Sequence, residues 1–383
     1  MFRECKSLTT TPELPATSLA PYCYEGMFRG CTSLTKAPEL PATELAIYCY
    51  KWMFYQCTSL TAAQEILPAM TLIERCYERM FSRCTSLITA PELPATTLAP
   101  YCYNSMFDFC HSLITAPELP ATTLTTSCYN GMFSGCDSLT TAPELPATTL
   151  AVGCYNRIFY NCISLNYIKC LATDITAANC TTNWVYGVAS LGTFVKHPDM
   201  NDWTIGIHGI PEGWNIKEMR YVTFTAEEDN SSIGLENLST NQTLEYSTDT
   251  DIWTAFDATT NISLNKGDEV YVRGMLSGDN NGYGDWTQFK MTGKIAASGN
   301  CNAIWNYQDL NAPLKAYCGR SMFDGCTSLT TAPELPAKTL TECCYGRMFM
   351  DCSLLTTAPE LPTTTLADYC YSFMFSGCTS LTM

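Results

Sequence analysis

The sequence predicts two stacked-repeat arrays with an all-β module between them. Three observations carry that expectation. A near-identical unit recurs along most of the chain, and the 23 cysteines fall almost entirely in two columns of that unit. Between residues 218 and 300 the unit gives way to β-branched and aromatic segments separated by turn residues.

The unit is clearest at its Met-Phe step. This occurs at Met1, Met27, Met53, Met80, Met106 and Met132, continues as Ile158-Phe159, and returns at Met322, Met348 and Met374. The spacing is 26 residues, with one step of 27 between Met53 and Met80, where AAQEILPAM replaces the usual APELPAT. One full unit reads MFRGCTSLTKAPELPATELAIYCYKW. Its Ser33 to Leu40 half has extended spacing and is closed by Pro41, which suits a short irregular strand better than a central ladder. Leu45, Cys49 and Met53 then fall four apart, which reads as one face of a helix. Gly30, Gly135, Gly325 and Gly377 end that stretch, as helix C-caps would. One such unit cannot bury its apolar face alone, whereas stacked neighbours can.

A period of this length lies in the range of leucine-rich solenoids. Cys31-Thr32-Ser33-Leu34, the Pro-closed strand and Phe54-Tyr55-Gln56-Cys57 make the unit resemble the BspA-like leucine-rich repeat. That repeat is found on surface proteins of gut and oral bacteria and of some protists. The resemblance covers about 1–165 and 301–383. It implies a leucine-rich-repeat-type solenoid, with a short strand plus a short helix per repeat. It also implies a role in adhesion or host attachment, outside the cell, on the cell surface or on a virion. Residues 166–217 are similar to the segment that follows such arrays in proteins of gut Bacteroidetes and their phages. The expected organisation is therefore an array over 1–165, its C-terminal cap over 166–217, a small β-sandwich over 218–300, and a second, incomplete array over 301–383. Both ends fall inside a repeat, so a fragment, or ends that stack on other chains, is expected.

Composition narrows the partners. The formal net charge is -16 and no Lys/Arg cluster stands out, which argues against nucleic acid and against anionic lipid. No apolar run is long enough to span a membrane, and no signal peptide is visible. One cysteine column is Cys23, Cys49, Cys76, Cys102, Cys128, Cys154, Cys318, Cys344 and Cys370. The other is Cys5, Cys31, Cys57, Cys84, Cys110, Cys136, Cys162, Cys326, Cys352 and Cys378. Spacings of 8 and 18 do not suit zinc, and parallel side chains in an odd total disfavour a disulfide ladder. Small buried hydrophobes opposite Met, Phe and Leu are the expectation.

Comparison among the repeats separates fixed core positions from variable outward ones. The dipeptides before and after Met-Phe vary, and Trp52, Tyr55, Arg79, Phe109, Arg157 and Tyr160 among them form a candidate partner-binding stripe. Unconstrained surface drift is the competing reading. The Glu of PELP, at Glu13, Glu39, Glu92, Glu118 and Glu144, with Glu65, Glu334 and Glu360, forms a candidate acidic ladder. It is either a cation or basic-partner site or a solvated face. The loop SGDNNGYGDW tempts a calcium reading through Asp279, Asn281 and Asp285, but Lys290 stands where an EF-hand needs Glu, so a hairpin turn is expected. Trp253, Phe256, Tyr271, Tyr283 and Trp286 could line a glycan site in the β-module or pack its core.

No catalytic constellation, cofactor motif or metal site emerges, and His111 beside Cys110 sits where other copies have Thr. The expected function is non-enzymatic recognition of a host protein or glycan. A structural spacer, with possible end-to-end self-association, is the alternative.

Overall fold

The computed structural model describes residues 1–277 and 285–382, which divide into two compact units, Met1–Met219 and Arg220–Met383. The calcium-loop expectation at Asp279 and Asn281, and Tyr283, lie outside the described residues.

In the first unit the helix expected in each repeat is replaced by a ladder of turns. In the second rung, Cys49, Lys51, Met53, Tyr55 and Cys57 donate their N–H to the carbonyls of Ala46, Tyr48, Tyr50, Trp52 and Phe54, closing successive β-turns. The N–H groups between them, on Tyr50, Trp52, Phe54 and Gln56, donate to Cys76, Glu78, Met80 and Ser82 of the next rung. An α-helix spends its N–H groups on itself and cannot pair sideways. The turn ladder divides them between itself and its neighbour, so every rung is hydrogen-bonded to the next.

The four-residue spacing of Cys49, Met53 and Cys57 is the period of two overlapping turns. On a helix it would drift by about 40° per step. The third residue of every second turn has the positive φ of a type II turn: Tyr48, Trp52 and Gln56 lie at 58°, 57° and 61°. Gly30, Gly135 and Gly377 therefore are left-handed, but as turn residues and not as helix caps. They also make room. A Cβ on Gly135 would lie 2.9 Å from the Phe109 ring, and one on Gly377 2.0 Å from the Asp351 carboxylate. A large side chain in one rung thus lies over a glycine in the next.

The inward residues form continuous columns. Phe28, Phe54, Phe81, Phe107, Phe133 and Phe159 stack at centroid distances of 5.3 to 6.0 Å. Tyr24, Tyr50, Tyr77, Tyr103, Tyr129 and Tyr155 form a second stack. Between them Cys57 Sγ donates to the Phe28 carbonyl at 3.1 Å, and Cys84, Cys110, Cys136 and Cys162 repeat that bond one rung further on. A thiol here is a small apolar side chain with one weak donor, aimed at a carbonyl inside the stack. No disulfide joins any of the described cysteines, and all but Cys5, Cys23, Cys343 and Cys378 are buried.

The extended half of each rung makes only single parallel bridges, such as Lys36 to Ala62 to Thr89 to Thr115, because the prolines interrupt a longer ladder. The 27-residue rung places Ile66 outward and buries Gln64 where other copies have Pro. Regular strands begin where the extended segment itself lacks proline. β1 (Tyr167–Cys170), β2 (Thr193–Lys196) and β3 (Asn215–Glu218) form a parallel sheet in that order. Residues 166–217 thus continue the stack. Trp184 receives the N–H of Phe159 on its carbonyl, stacks on Trp203 at 5.2 Å and donates its indole N–H to Gly209.

The second unit opens with β4 (Val222–Ala226), β5 (Ser231–Asn237), β6 (Gln242–Ser247), β7 (Thr254–Ala255), β8 (Asn261–Leu264), β9 (Glu269–Leu276), β10 (Gln288–Thr292) and β11 (Ile295–Ser298). The short helix α1 (Asn302–Asn306) and β12 (Leu329–Thr331) follow. One sheet has the order β10-β5-β8 and the other β12-β11-β4-β9-β6-β7. The residue-301 boundary is not a boundary in the core. Phe289 of β10 stacks on Phe323 at 5.2 Å, accepts the Cys326 thiol on its carbonyl, and so heads the column Phe323, Phe349, Phe375. Strand β11 likewise pairs in parallel with β12 of the repeat.

Candidate functional surface

The turn ladder presents two outward dipeptides per rung, and the sequence-predicted stripe lies there. Counting rungs from the ladder over residues 22–31, Trp52 and Tyr55 stand on the second, Arg79 on the third, Phe109 on the fourth, and Arg157 and Tyr160 on the sixth. Four of the six occupy left-handed positions: Trp52 at φ 57°, Arg79 at 56°, Phe109 at 57° and Arg157 at 54°. In the same columns Gly26, Gly131, Gly30 and Gly135 stand in other rungs.

The structure divides the stripe into two patches. Rung five, with Ser127, Asn130, Gly131, Ser134 and Gly135, separates them. In the first patch Arg29 lies 5.5 Å from the Trp52 ring and 5.0 Å from that of Tyr55. Lys51 lies over Trp52 and Tyr48, and Arg83 lies 4.8 Å from Phe109. Tyr22 stacks on Tyr48, and Arg75 lies between Tyr48 and Tyr101. In the second patch Arg157 lies over Tyr160, which stacks on Tyr186 at 5.0 Å. Sequence comparison placed Arg29, Lys51 and Arg83 among the variable outward dipeptides without naming them as partner-binding candidates, and it missed Arg75. The signal was present, since Arg29, Arg75 and Arg83 each stand one rung from an aromatic they lie over and Lys51 stands beside Tyr48 and Trp52 of its own rung, but a helix places those columns elsewhere.

Several of these cations are already neutralised. Lys51 pairs with Glu78 at 3.2 Å, and Arg75 with Glu78 at 3.1 Å and Glu74 at 3.3 Å. Burial pushes the Asp108 carboxyl above the usual carboxylate range. Hydrogen bonds from Ser134 and Ser82 and the charges of Arg79 and Arg83 offset this in part. His111 contacts Asp137 at 2.7 Å across one rung, with Phe109 edge-on to its ring.

The other candidates are placed differently. Glu13, Glu39, Glu65, Glu92 and Glu118 are exposed on the extended half of the rungs, and Glu144 pairs with Lys169 at 2.8 Å. In the β-module Phe256 is buried, Trp253 lies 3.9 Å from Arg273, the Tyr271 hydroxyl donates to Glu269, and the Trp286 indole donates to Gln288. Asp285 accepts from the backbone and hydroxyl of Thr240. Among the described residues no group of three or more His, Cys, Asp or Glu is placed to share a metal ion, and no helix is long and apolar enough to cross a membrane. Burial pushes the Cys49 thiol up to about 11 and the Cys57 thiol to about 12, so both stay protonated at neutral pH.

The family model described as BspA type Leucine rich repeat region matches residues 1–113 and 101–181, with six copies. Neither the curated proteins nor the solved structures contain a match to the chain. The repeated Cys-x-Ser-Leu step, the stacked rungs and this match agree over the first array, which is built of BspA-like leucine-rich repeats.

Proposed function

We propose that the protein is a non-enzymatic recognition protein, displayed outside a cell or on a particle. It meets a host protein or glycan through the turn face of its first array. The observation that supports this reading is the placement of Trp52, Arg79, Phe109 and Arg157 in left-handed backbone. An L-residue there is disfavoured by about 1 kcal/mol or more. Gly131 and Asn183, residue types that tolerate left-handed backbone, stand in the same column as Trp52, Arg79 and Arg157. Trp52, Arg79, Phe109 and Arg157 are of the residue types that dominate recognition hot spots. The β-module fits a small sandwich that starts the second array, since Phe224 and Phe289 of its two sheets meet at 5.2 Å.

The test is capture from a glycan and host-protein array by the full chain and by its Trp52→Ala/Tyr55→Ala/Phe109→Ala variant. Loss of every captured ligand in the variant, at unchanged folding, is the expected outcome. Undiminished capture would remove the turn face from consideration.

A further inference from the structure

We propose that the first patch, around Arg29, Arg79 and Arg83, binds an acidic polysaccharide. This rests on the recognition reading above and names its partner class. The first observation is where the cations are. The chain carries a formal net charge of -16, yet Arg75, Arg79 and Arg83 stand on successive left-handed positions of one rung, with Arg29 and Lys51 beside them. Lys51 and Arg75 are committed to Glu78 and Glu74. Arg29, Arg79 and Arg83 enter no salt bridge among the described residues, and the acid facing Arg79 and Arg83 is the partly buried Asp108.

The second observation is how two of these guanidinium groups are held. Arg29 lies against Trp52 and Tyr55, and its Nε is enclosed without a partner. Arg83 lies against Phe109. Stacking fixes the plane of each group before a ligand arrives and reduces the ordering cost of binding. Trp52 and Tyr55 are half-buried beside Arg29, while Phe109 stays exposed under Arg83. The surface recognises by charge and hydrogen bonding.

The third observation is the period. Successive rungs advance by 5.3 to 5.7 Å at the Phe54, Phe81 and Phe107 rings. A pyranose with its linkage is about one rung long. An extended peptide returns a side chain to the same side only every ~6.6 Å. A polymer of acidic sugars lying along the array therefore keeps register with the rungs, whereas an acidic peptide does not.

The test uses the full chain and four probes: polygalacturonate, chondroitin sulfate, neutral dextran and poly-glutamate. Calorimetric titration should detect at least one of the two acidic glycans, with affinity falling as NaCl is raised. Arg79→Gly/Arg83→Gly should bind roughly tenfold more weakly or worse. Its unfolding midpoint should stay close to wild type, because Gly131 and Gly135 already fill those columns in rung five. Equal binding by this variant, equal binding of dextran, tighter binding of poly-glutamate, or no binding of either acidic glycan would each overturn the proposal. If the Trp52/Tyr55/Phe109 variant loses array capture while the double-glycine variant keeps it, recognition stands and the acidic-glycan assignment falls. If wild type captures nothing, both fall.

Discussion

Rungs four and five of the first array share one interior and differ on the outside. Inward, both carry Cys-Tyr, Met-Phe and Cys: Cys102, Tyr103, Met106, Phe107 and Cys110 in one, Cys128, Tyr129, Met132, Phe133 and Cys136 in the other, all buried. Outward, the left-handed positions hold Tyr101, Ser105 and Phe109 in rung four, against Ser127, Gly131 and Gly135 in rung five. The turn ladder explains how this is possible. Every second N–H and carbonyl joins neighbouring rungs whatever the outward side chain is, so the surface can change without disturbing the stack. Interior and exterior are energetically separate, and the exterior is free to specialise.

The largest effect tests the shared interior. Phe107→Ala and Phe133→Ala should each cost about 3–5 kcal/mol in chemical denaturation, since each removes one ring from the middle of the same column. Clearly unequal costs would show that the outer face contributes to the core, and the separation would fail. Next come the thiols. Cys110→Ala and Cys136→Ala each lose a bond of 3.2 Å to a carbonyl in the preceding rung and leave a small void, and should cost about 1–2 kcal/mol each. Alkylation followed by mass spectrometry offers a second check. Native protein at pH 8 should be modified first at the exposed Cys5 and Cys23, and only denaturation should open Cys49 and Cys57, which burial holds at about 11 and 12.

What could be read from the sequence follows the same division. The columns of Leu, Cys, Met and Phe were legible because each repeat tests the next, and the irregular, proline-interrupted strand followed from the lack of an N–H on proline. The helix was a misreading with a definite cause. Residues spaced by four satisfy a helix over two turns, and only the lateral hydrogen bonds distinguish a ladder from it. The repeated Gly30 and Gly135 did mark left-handed backbone, but the same column also holds Arg83 and Phe109, which no propensity would place there. The stripe was legible as variable positions, while its pairing of Arg29 with Trp52 and Arg83 with Phe109 depended on which rung faces which. Phe289 was the hardest to see. It heads the second Phe column from inside a β-strand, 34 residues before Phe323 in place of the usual 26.

Smaller effects probe the outer face. Gly131→Arg should destabilise by about 1 kcal/mol, because φ is 60° and the new Cβ would stand 3.2 Å from the Ser105 hydroxyl. Arg79→Gly, its converse on rung three, should be close to neutral, since relief of the left-handed conformation offsets the added freedom of the unfolded chain. If Arg79→Gly instead destabilises as much as a core cavity, the outer face is holding the stack together.

The smallest effect concerns Asp108. Burial raises its carboxyl above the usual range, so folding disfavours the ionised form. A group raised in the folded state contributes its stability at low pH. That contribution is lost as pH climbs from the ordinary carboxylate value through the raised one. Asp108→Asn removes the titration. Relative to wild type, the variant should gain stability as pH rises through that window and then hold the gain to neutrality, measured as the difference in melting midpoint between the two proteins. If the difference is flat with pH, or slopes the other way, Arg79 and Arg83 outweigh burial at this carboxylate. Those two arginines would then be engaged by Asp108 and less available to a partner.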